Sequence, residues 1–198
     1  MPLYLTGNSL CIEDVIAVAR HHQPVALHED ARNNMQKSYE WVRKASEDTQ
    51  AVYGVNTGFG SLARLRIPQD QSSALSRNLI RSHAAGVGPI APTDVTRAMI
   101  LLRANALSKG VSGCRPLLVD TLIEFLNARL HPVIPMQGSC GSSGDLAPLA
   151  HLGLVLIGDP LGEAMIDGIR MPAPEALRHK SISPIVLEAK DGLAITNG

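Results

Sequence analysis

Aromatic side chains are scarce in this 198-residue chain: one Trp, three Tyr and two Phe make up 3% of it. A core with so few rings must be filled by Leu, Ile, Val and Ala, and those side chains suit close packing of helices. Cysteine is just as sparse. Cys11, Cys114 and Cys140 stand far apart, their number is odd, and their spacing matches no metal-ligand pattern. That excludes a disulfide framework and fits a reducing compartment. No charge of one sign dominates, with 18 Lys plus Arg against 18 Asp plus Glu. Such a balance leaves no electrostatic footprint for nucleic acid or an anionic membrane. Long apolar runs are missing too. The longest, Leu152 to Ile157, is interrupted by Gly153 and is far too short to span a bilayer. The first residues, MPLYLTGNSLCIEDV, carry neither the basic nor the apolar region of a signal peptide. These absences lead us to expect a cytoplasmic globular protein with no metal, nucleic acid or membrane partner. The hydrophobic content of 45% favours a packed core over disorder.

What is present is mostly helical periodicity. The spacing predicts a short helix over 13–22 and a second over 30–44, where Met35, Tyr39, Val42 and Ala45 share one face. A third is expected over 71–83, with Leu75, Leu79 and His83 aligned. A long apolar helix over 94–109 follows Pro92-Thr93 and stops at Gly110. Another over 116–129 has Pro116 in its first turn. The last runs over 145–157 with Asp145 placed as its cap. Two of these helices are apolar nearly all round and must be buried among others. Between 163 and 171, Asp167-Gly168 separates two short β-like runs, the signature of a type I′ hairpin. The Pro- and Ser-rich stretch from Pro172 to Pro184 reads as loop. The expected fold class is therefore mainly α, with one small β-hairpin. The final stretch, Asp191 to Gly198, is apolar and reads as the start of an element rather than a tail, so a truncated chain is expected.

The segment Gly138-Ser-Cys-Gly-Ser-Ser-Gly-Asp-Leu-Ala-Pro-Leu-Ala-His151 is the most informative. A flexible loop feeding a helix N-terminus can hold an anion, although the P-loop lysine and the dinucleotide glycine spacing are both missing. It can equally be an ordinary capping loop. A third chemistry belongs to Ser142-Ser143-Gly144. A glycine nitrogen carries no neighbouring side chain and can approach the carbonyl carbon two residues back. Attack there closes a five-membered ring. Loss of one water from the ring and one from Ser143 leaves an exocyclic methylene, an electrophile built from the chain itself. Nearby helix N-termini would stabilise negative charge developing on it.

This segment resembles the prosthetic-group motif of the aromatic amino acid ammonia-lyases, which form 4-methylidene-imidazole-5-one (MIO) from a three-residue triad. The matching residues are Ser142, Ser143 and Gly144. The family's triad more often begins with Ala, and Ser142 is a mild departure because that position contributes mainly its carbonyl. Four further blocks are similar to the family in the family's order: Tyr53-Gly-Val-Asn-Thr-Gly-Phe-Gly60, Asn78 to Gly88, Arg103 to Gly113 and Lys190 to Gly198. The resemblance thus covers nearly the whole chain, residues 1–198. It implies an N-terminal helical domain that carries the triad and begins the family's central helical domain.

The resemblance also assigns roles. The MIO methylene takes up electrons from the substrate, and Tyr53 removes its β-proton. Ser82 and His83 stand where family members acting on histidine carry Ser-His. Tyrosine lyases carry His-Leu there, and phenylalanine lyases Phe-Leu or similar. An imidazole can exchange a hydrogen bond with a substrate imidazole. The implied reaction is deamination of L-histidine to trans-urocanate and ammonia, the first step of histidine degradation. A tyrosine or phenylalanine lyase or an aminomutase is the near alternative, and a non-enzymatic helical assembly module the distant one. Asn197 would hold the substrate or polarise the MIO carbonyl, and Asp145 caps its helix or assists ring closure. Cys140, His131 and His151 read as structural or surface residues. Family members are longer homotetramers whose sites combine several subunits, so this chain alone is expected to be inactive.

Overall fold

A computed structural model describes residues 1–48, 50–138, 140–141 and 144–197, without the side chains of Ser61 and Cys140. The chain opens with a β-α-β unit that the sequence pattern did not announce. Strand β1 (Leu3–Leu5) and strand β2 (Val25–Leu27) pair in parallel, Leu3 opposite Val25, on either side of helix α1 (Ile12–His21). Three-residue strands are too short to show a period of two, so only their pairing reveals them. Helix α1 starts at Cys11, whose backbone N–H and thiol both reach Asp14 Oδ2 at 3.1 Å. Helix α2 (Glu29–Glu47) buries Met35 and Val42, as its spacing predicts.

Helix α3 (Ser72–His83) is followed by strand β3 (Val87–Ile90), which leads to helix α4 (Thr93–Ser108). Helix α5 (Pro116–Ala128) carries the predicted proline in its first turn. Helix α4 packs on α1 and α5. Their shared interior holds Ile100, Leu101, Ala104, Leu118, Leu122, Phe125 and Leu126, all at most 2% exposed. Each large aliphatic side chain removed from water there contributes about 1.5–3 kcal/mol.

Four short strands come next: β4 (His131–Pro132), β5 (Pro135–Gln137), β6 (Cys140–Gly141) and β7 (Gly144–Asp145). They lead into helix α6 (Leu146–Leu156), of whose eleven residues eight are buried. This is the all-round apolar helix that the sequence requires to be buried. It packs on α3, where Gly153 faces Ile80, and a β-carbon at Gly153 would come within 2.9 Å of the Ile80 side chain. The missing side chain sets how closely the two helices approach.

The predicted hairpin is present as β8 (Glu163–Ile166) and β9 (Ile169–Pro172), with β4 as a third antiparallel strand beside β8. Asp167 at φ 50° and Gly168 at φ 82° supply the two left-handed residues of a type I′ turn. The loop expected from Pro172 to Pro184 needs correction, because residues Ala173–His179 form helix α7. Pro174 lies in its first turn, where proline is tolerated, and Ala173, Ala176 and Leu177 are buried. Prolines that announce a loop by composition here begin a helix. The chain closes on helix α8 (Asp191–Thr196), which packs against α3 and α6. Among the described residues no helix is long and apolar enough to cross a membrane.

Candidate active site

Ser142 and Ser143, the first two members of the triad, lie outside the described residues, as does Gly198. Their frame is described. Strands β6 and β7 pair in antiparallel register, Cys140 opposite Asp145 and Gly141 opposite Gly144. The two serines therefore occupy a two-residue connection flanked by glycines. Gly144 has φ 83°, and no atom lies within 4 Å of where its β-carbon would stand. That left-handed conformation favours glycine. Asp145 caps α6 as predicted, with Oδ1 accepting from the Ala147 N–H at 3.3 Å. Its carboxylate also rests on Gly138, where a β-carbon would collide with Oδ1 at 2.3 Å. Gly138 is thus pressed against the helix cap.

Ser82 and His83 lie in the last turn of α3. His83 Nδ1 is 2.9 Å from the Leu79 carbonyl and 2.9 Å from Ser82 Oγ, which itself donates to the same carbonyl. A carbonyl can only accept, so Nδ1 carries the hydrogen. In the neutral ring Nε2 is then left as an acceptor. Arg81, one residue before Ser82, anchors this end of α3 by donating from Nε at 2.7 Å to Asp159, a carboxylate with no exposed side-chain surface. Burial pushes the Asp159 carboxyl up, but the Arg81 hydrogen bond, the Leu161 amide and the Arg77 and Arg81 charges outweigh it and hold it below its ordinary value.

The segment after His83 is bound to the triad region twice. Strand β3 pairs with β5, immediately before the Gly/Ser segment. The Gly86 N–H donates to His151 Nε2 at 3.1 Å, and His151 belongs to α6. Burial lowers the His151 pKa, which favours the neutral ring that can accept. The structural role expected for His151 is therefore a definite one: it joins two of the motif blocks.

Tyr53 is 56% exposed, and its ring stands edge-on to Phe59 with centroids 6.2 Å apart. Its turn is held from below by Asn56, which is buried. The Asn56 amide donates to the carbonyls of Ala45, Asp48 and Gln50, and its Oδ1 accepts from the Val52 N–H at 2.7 Å. Behind Tyr53, Gly54 faces the Leu193 and Lys190 side chains, so this turn lies against the start of α8.

Asn197 follows the last turn of α8, its N–H donating to the Leu193 carbonyl, and its side chain is exposed. It lines a cavity of about 240 Å³ together with Arg103, Ser112 and Lys190. Arg103 also borders an open apolar groove between α4 and α6 that ends at Asp145. Asn197 and the triad's helix cap are thus connected through Arg103. Sequence reading matched the blocks containing Arg103 and Lys190 without giving either residue a role. The signal available was weak, because the same helix carries a second arginine, Arg97.

A short antiparallel strand pair leading into the cap of a buried helix, with a histidine-bearing segment bound beside both, defines a helical protein built around that pair. The profile of the aromatic amino acid lyase family matches residues 10–198. The chain is 48% identical over 196 residues to the histidine ammonia-lyase of Geobacillus thermodenitrificans, covering 99% of this chain and 38% of that protein. Among solved structures, ergothionase from Treponema denticola superposes with a TM-score of 0.94 at 34% identity, covering all of this chain and 39% of that one. Tyrosine aminomutase from Streptomyces globisporus gives 0.93 at 36%, covering all of this chain and 37% of that one. The chain belongs to the aromatic amino acid lyase family. It spans about 38% of the length of the curated relative that it matches.

Proposed function

We propose that this chain is the triad-bearing part of an ammonia-lyase that converts L-histidine to trans-urocanate and ammonia. The observation that carries the proposal is the β6–β7 register, Gly141 opposite Gly144, which brings the residues on either side of Ser142-Ser143 together ahead of a left-handed Gly144. Ring closure needs the Gly144 nitrogen to reach the Ser142 carbonyl carbon, an approach that a residue without a side chain eases. An MIO group formed from Ser142, Ser143 and Gly144 would supply an electrophilic methylene that draws electron density from the substrate. The chain's own residues would do the rest. Asp145, at the cap of α6, sets the pitch of the turn. His83, with Nδ1–H committed to its own helix, offers Nε2 to an imidazole N–H. Tyr53, exposed on an anchored turn, is the proposed acceptor of the β-proton. Asn197 holds the substrate from the end of α8.

Histidine rather than tyrosine or phenylalanine rests on Ser82-His83, because the fold is shared with a tyrosine aminomutase and does not itself choose the substrate. Identity to the Geobacillus histidine ammonia-lyase supports the same choice. The reading includes a cytoplasmic location and a homotetramer, as the family resemblance implies. Intact mass tests it first: the purified chain, or the longer protein carrying it, should weigh two waters less than its sequence, and Ser143→Ala should restore one unmodified mass. In the longer protein, L-histidine should turn over, and His83→Leu should lose that turnover by about 100-fold, the worth of two to three kcal/mol of lost hydrogen bonding. An unmodified mass in both chain and longer protein sinks the proposal.

A further inference from the structure

A loop that only connects two elements leaves its polar side chains in water, because burying one is costly unless its hydrogen bonds are replaced. The turn that carries Tyr53 departs from this at two adjacent positions. Asn56 is 3% exposed and Thr57 1%. These two side chains take the N–H groups on either side of Tyr53. Val52 donates to Asn56 Oδ1 at 2.7 Å, and Gly54 donates to Thr57 Oγ1 at 3.2 Å. Each clamp is fastened in turn. Asn56 Nδ2 donates to the Ala45, Asp48 and Gln50 carbonyls at 3.2, 3.4 and 2.9 Å, at the end of α2, where carbonyls run short of helical donors. The Asn56 carbonyl accepts from the Ile67 N–H at 2.9 Å, on the return of the loop. Thr57 Oγ1 donates to the Gly58 carbonyl at 3.1 Å, and the Gly58 N–H reaches the Leu65 carbonyl at 2.9 Å.

We propose that Asn56 and Thr57 are positioning residues that fix the backbone on both sides of Tyr53 and so set where its phenol meets the substrate. This rests on the proton-acceptor role given to Tyr53 above. The Tyr53 ring is 56% exposed and stands edge-on to Phe59. Little packing holds it, so its place follows from its backbone. The residue types fit the task. An amide offers two N–H donors and an acceptor together, and Asn56 uses both kinds. Aspartate there would turn an acceptor-only group towards three carbonyls. Serine would not span from Val52 to the end of α2. Valine at 57 would match the shape of threonine and lose the acceptor that Gly54 needs. Proton transfer to a placed base depends steeply on geometry, and a displacement near 1 Å costs about 100-fold in rate. Contacts that hold the substrate elsewhere do not depend on this turn, so kcat should fall while KM holds.

A double-mutant cycle in the longer protein, with L-histidine as substrate, tests this. Tyr53→Phe should lower kcat by about 1,000-fold. Asn56→Ser should lower it by about 100-fold and Thr57→Val by about 10-fold, each with KM within about threefold of the unmodified protein. In the Tyr53→Phe background neither should lower kcat further, because nothing is left to position. Effects that multiply in the double variants overturn the proposal, as does a raised KM with kcat unchanged. Absence of turnover in the unmodified longer protein strikes the Tyr53 role itself, and this inference with it. Amide exchange on the present chain reads the clamps without any activity. The Val52 N–H should exchange faster in Asn56→Ser and the Gly54 N–H faster in Thr57→Val, while buried amides of α4 and α5 keep their rates. Unchanged exchange at Val52 and Gly54 overturns the proposal. So does lost protection throughout α4 and α5, which would make the pair supports of the whole fold.

Discussion

Helix α4 carries two arginines under two turns apart, and they have opposite surroundings. Arg97 is 1% exposed, and each of its three guanidinium nitrogens meets a carbonyl: Nε and Nη2 the Val18 oxygen at 3.1 and 2.8 Å, Nη1 the Leu126 oxygen at 3.0 Å. Those carbonyls belong to the last turns of α1 and α5, where carbonyls run short of helical donors and carry partial negative charge; the Leu126 oxygen also takes the Arg129 N–H, at a long 3.4 Å. One cation thus closes two helix ends. Arg103 faces a cavity with its Nε unpaired. Burial alone does not tell how an arginine is held. The separation comes from whether the fold itself supplies every acceptor.

The largest effect should come from removing the closed arginine. Arg97→Met takes the guanidinium from the Val18 carbonyl and leaves the Leu126 carbonyl with the long Arg129 N–H, and should lower the unfolding free energy by about 3–4 kcal/mol in urea titration. Arg97→Lys keeps the charge but cannot reach both carbonyls at once, and should recover only part of the loss. A cost near zero for Arg97→Met would erase the distinction between the two arginines.

A second test uses the charge that Arg97 imposes on its neighbours. His131 has a buried Nδ1 without a partner. Burial, and then the charges of Arg97, His22, Lys180 and Arg129, push its pKa down to about 4. An unfolded histidine titrates near pH 6.5. The folded pKa lies below the unfolded one, so the unfolded chain binds the proton first on acidification. Stability from this group is intact above about pH 6.5 and falls as pH drops towards 4. Between pH 7 and pH 5 the loss should be about 2 kcal/mol. His131→Gln should flatten that part of the profile, read from urea midpoints at each pH. A profile unchanged by the substitution would show that the helix-end cluster does not feel the Arg97 charge.

Neither arginine's role is readable from the sequence. Helices α2 to α6 are legible because apolar residues recur at helical spacing and because caps such as Pro116 and Asp145 obey local rules. The β8–β9 turn is legible because Asp-Gly needs only its own two residues to specify a left-handed pair. What fails is anything decided across the chain. Strands β1 and β2 are three residues each and exist by pairing with one another. Helix α7 is hidden because its prolines signal a loop until Ala173, Ala176 and Leu177 find a core to enter. Arg97 and Arg103 look alike in an apolar helix, and only the distant carbonyls of Val18 and Leu126 tell them apart. The candidate site divides the same way. Its residue types stand in recognisable blocks, but the Gly86 bond to His151 and the place of Lys190 beside Arg103 depend on tertiary packing.

His151 offers the finest version of the comparison, a single half-buried donor meeting a single acceptor. Its Nε2 takes the Gly86 N–H at 3.1 Å, and Gly86 sits so close that a β-carbon there would come within 3.1 Å of that nitrogen. His151→Phe preserves the ring's bulk and removes the acceptor. It should cost about 1 kcal/mol, the net worth of one hydrogen bond. His151→Gln, which retains an acceptor oxygen, should recover part of it. Amide exchange separates this from a general loss of packing: the Gly86 N–H should exchange faster in His151→Phe while buried amides of α4 and α5 slow or speed only with global stability. Uniformly faster exchange would make His151 filler for the core. Selective exposure of Gly86 would make it the strut that fixes the His83 segment against the helix following the triad.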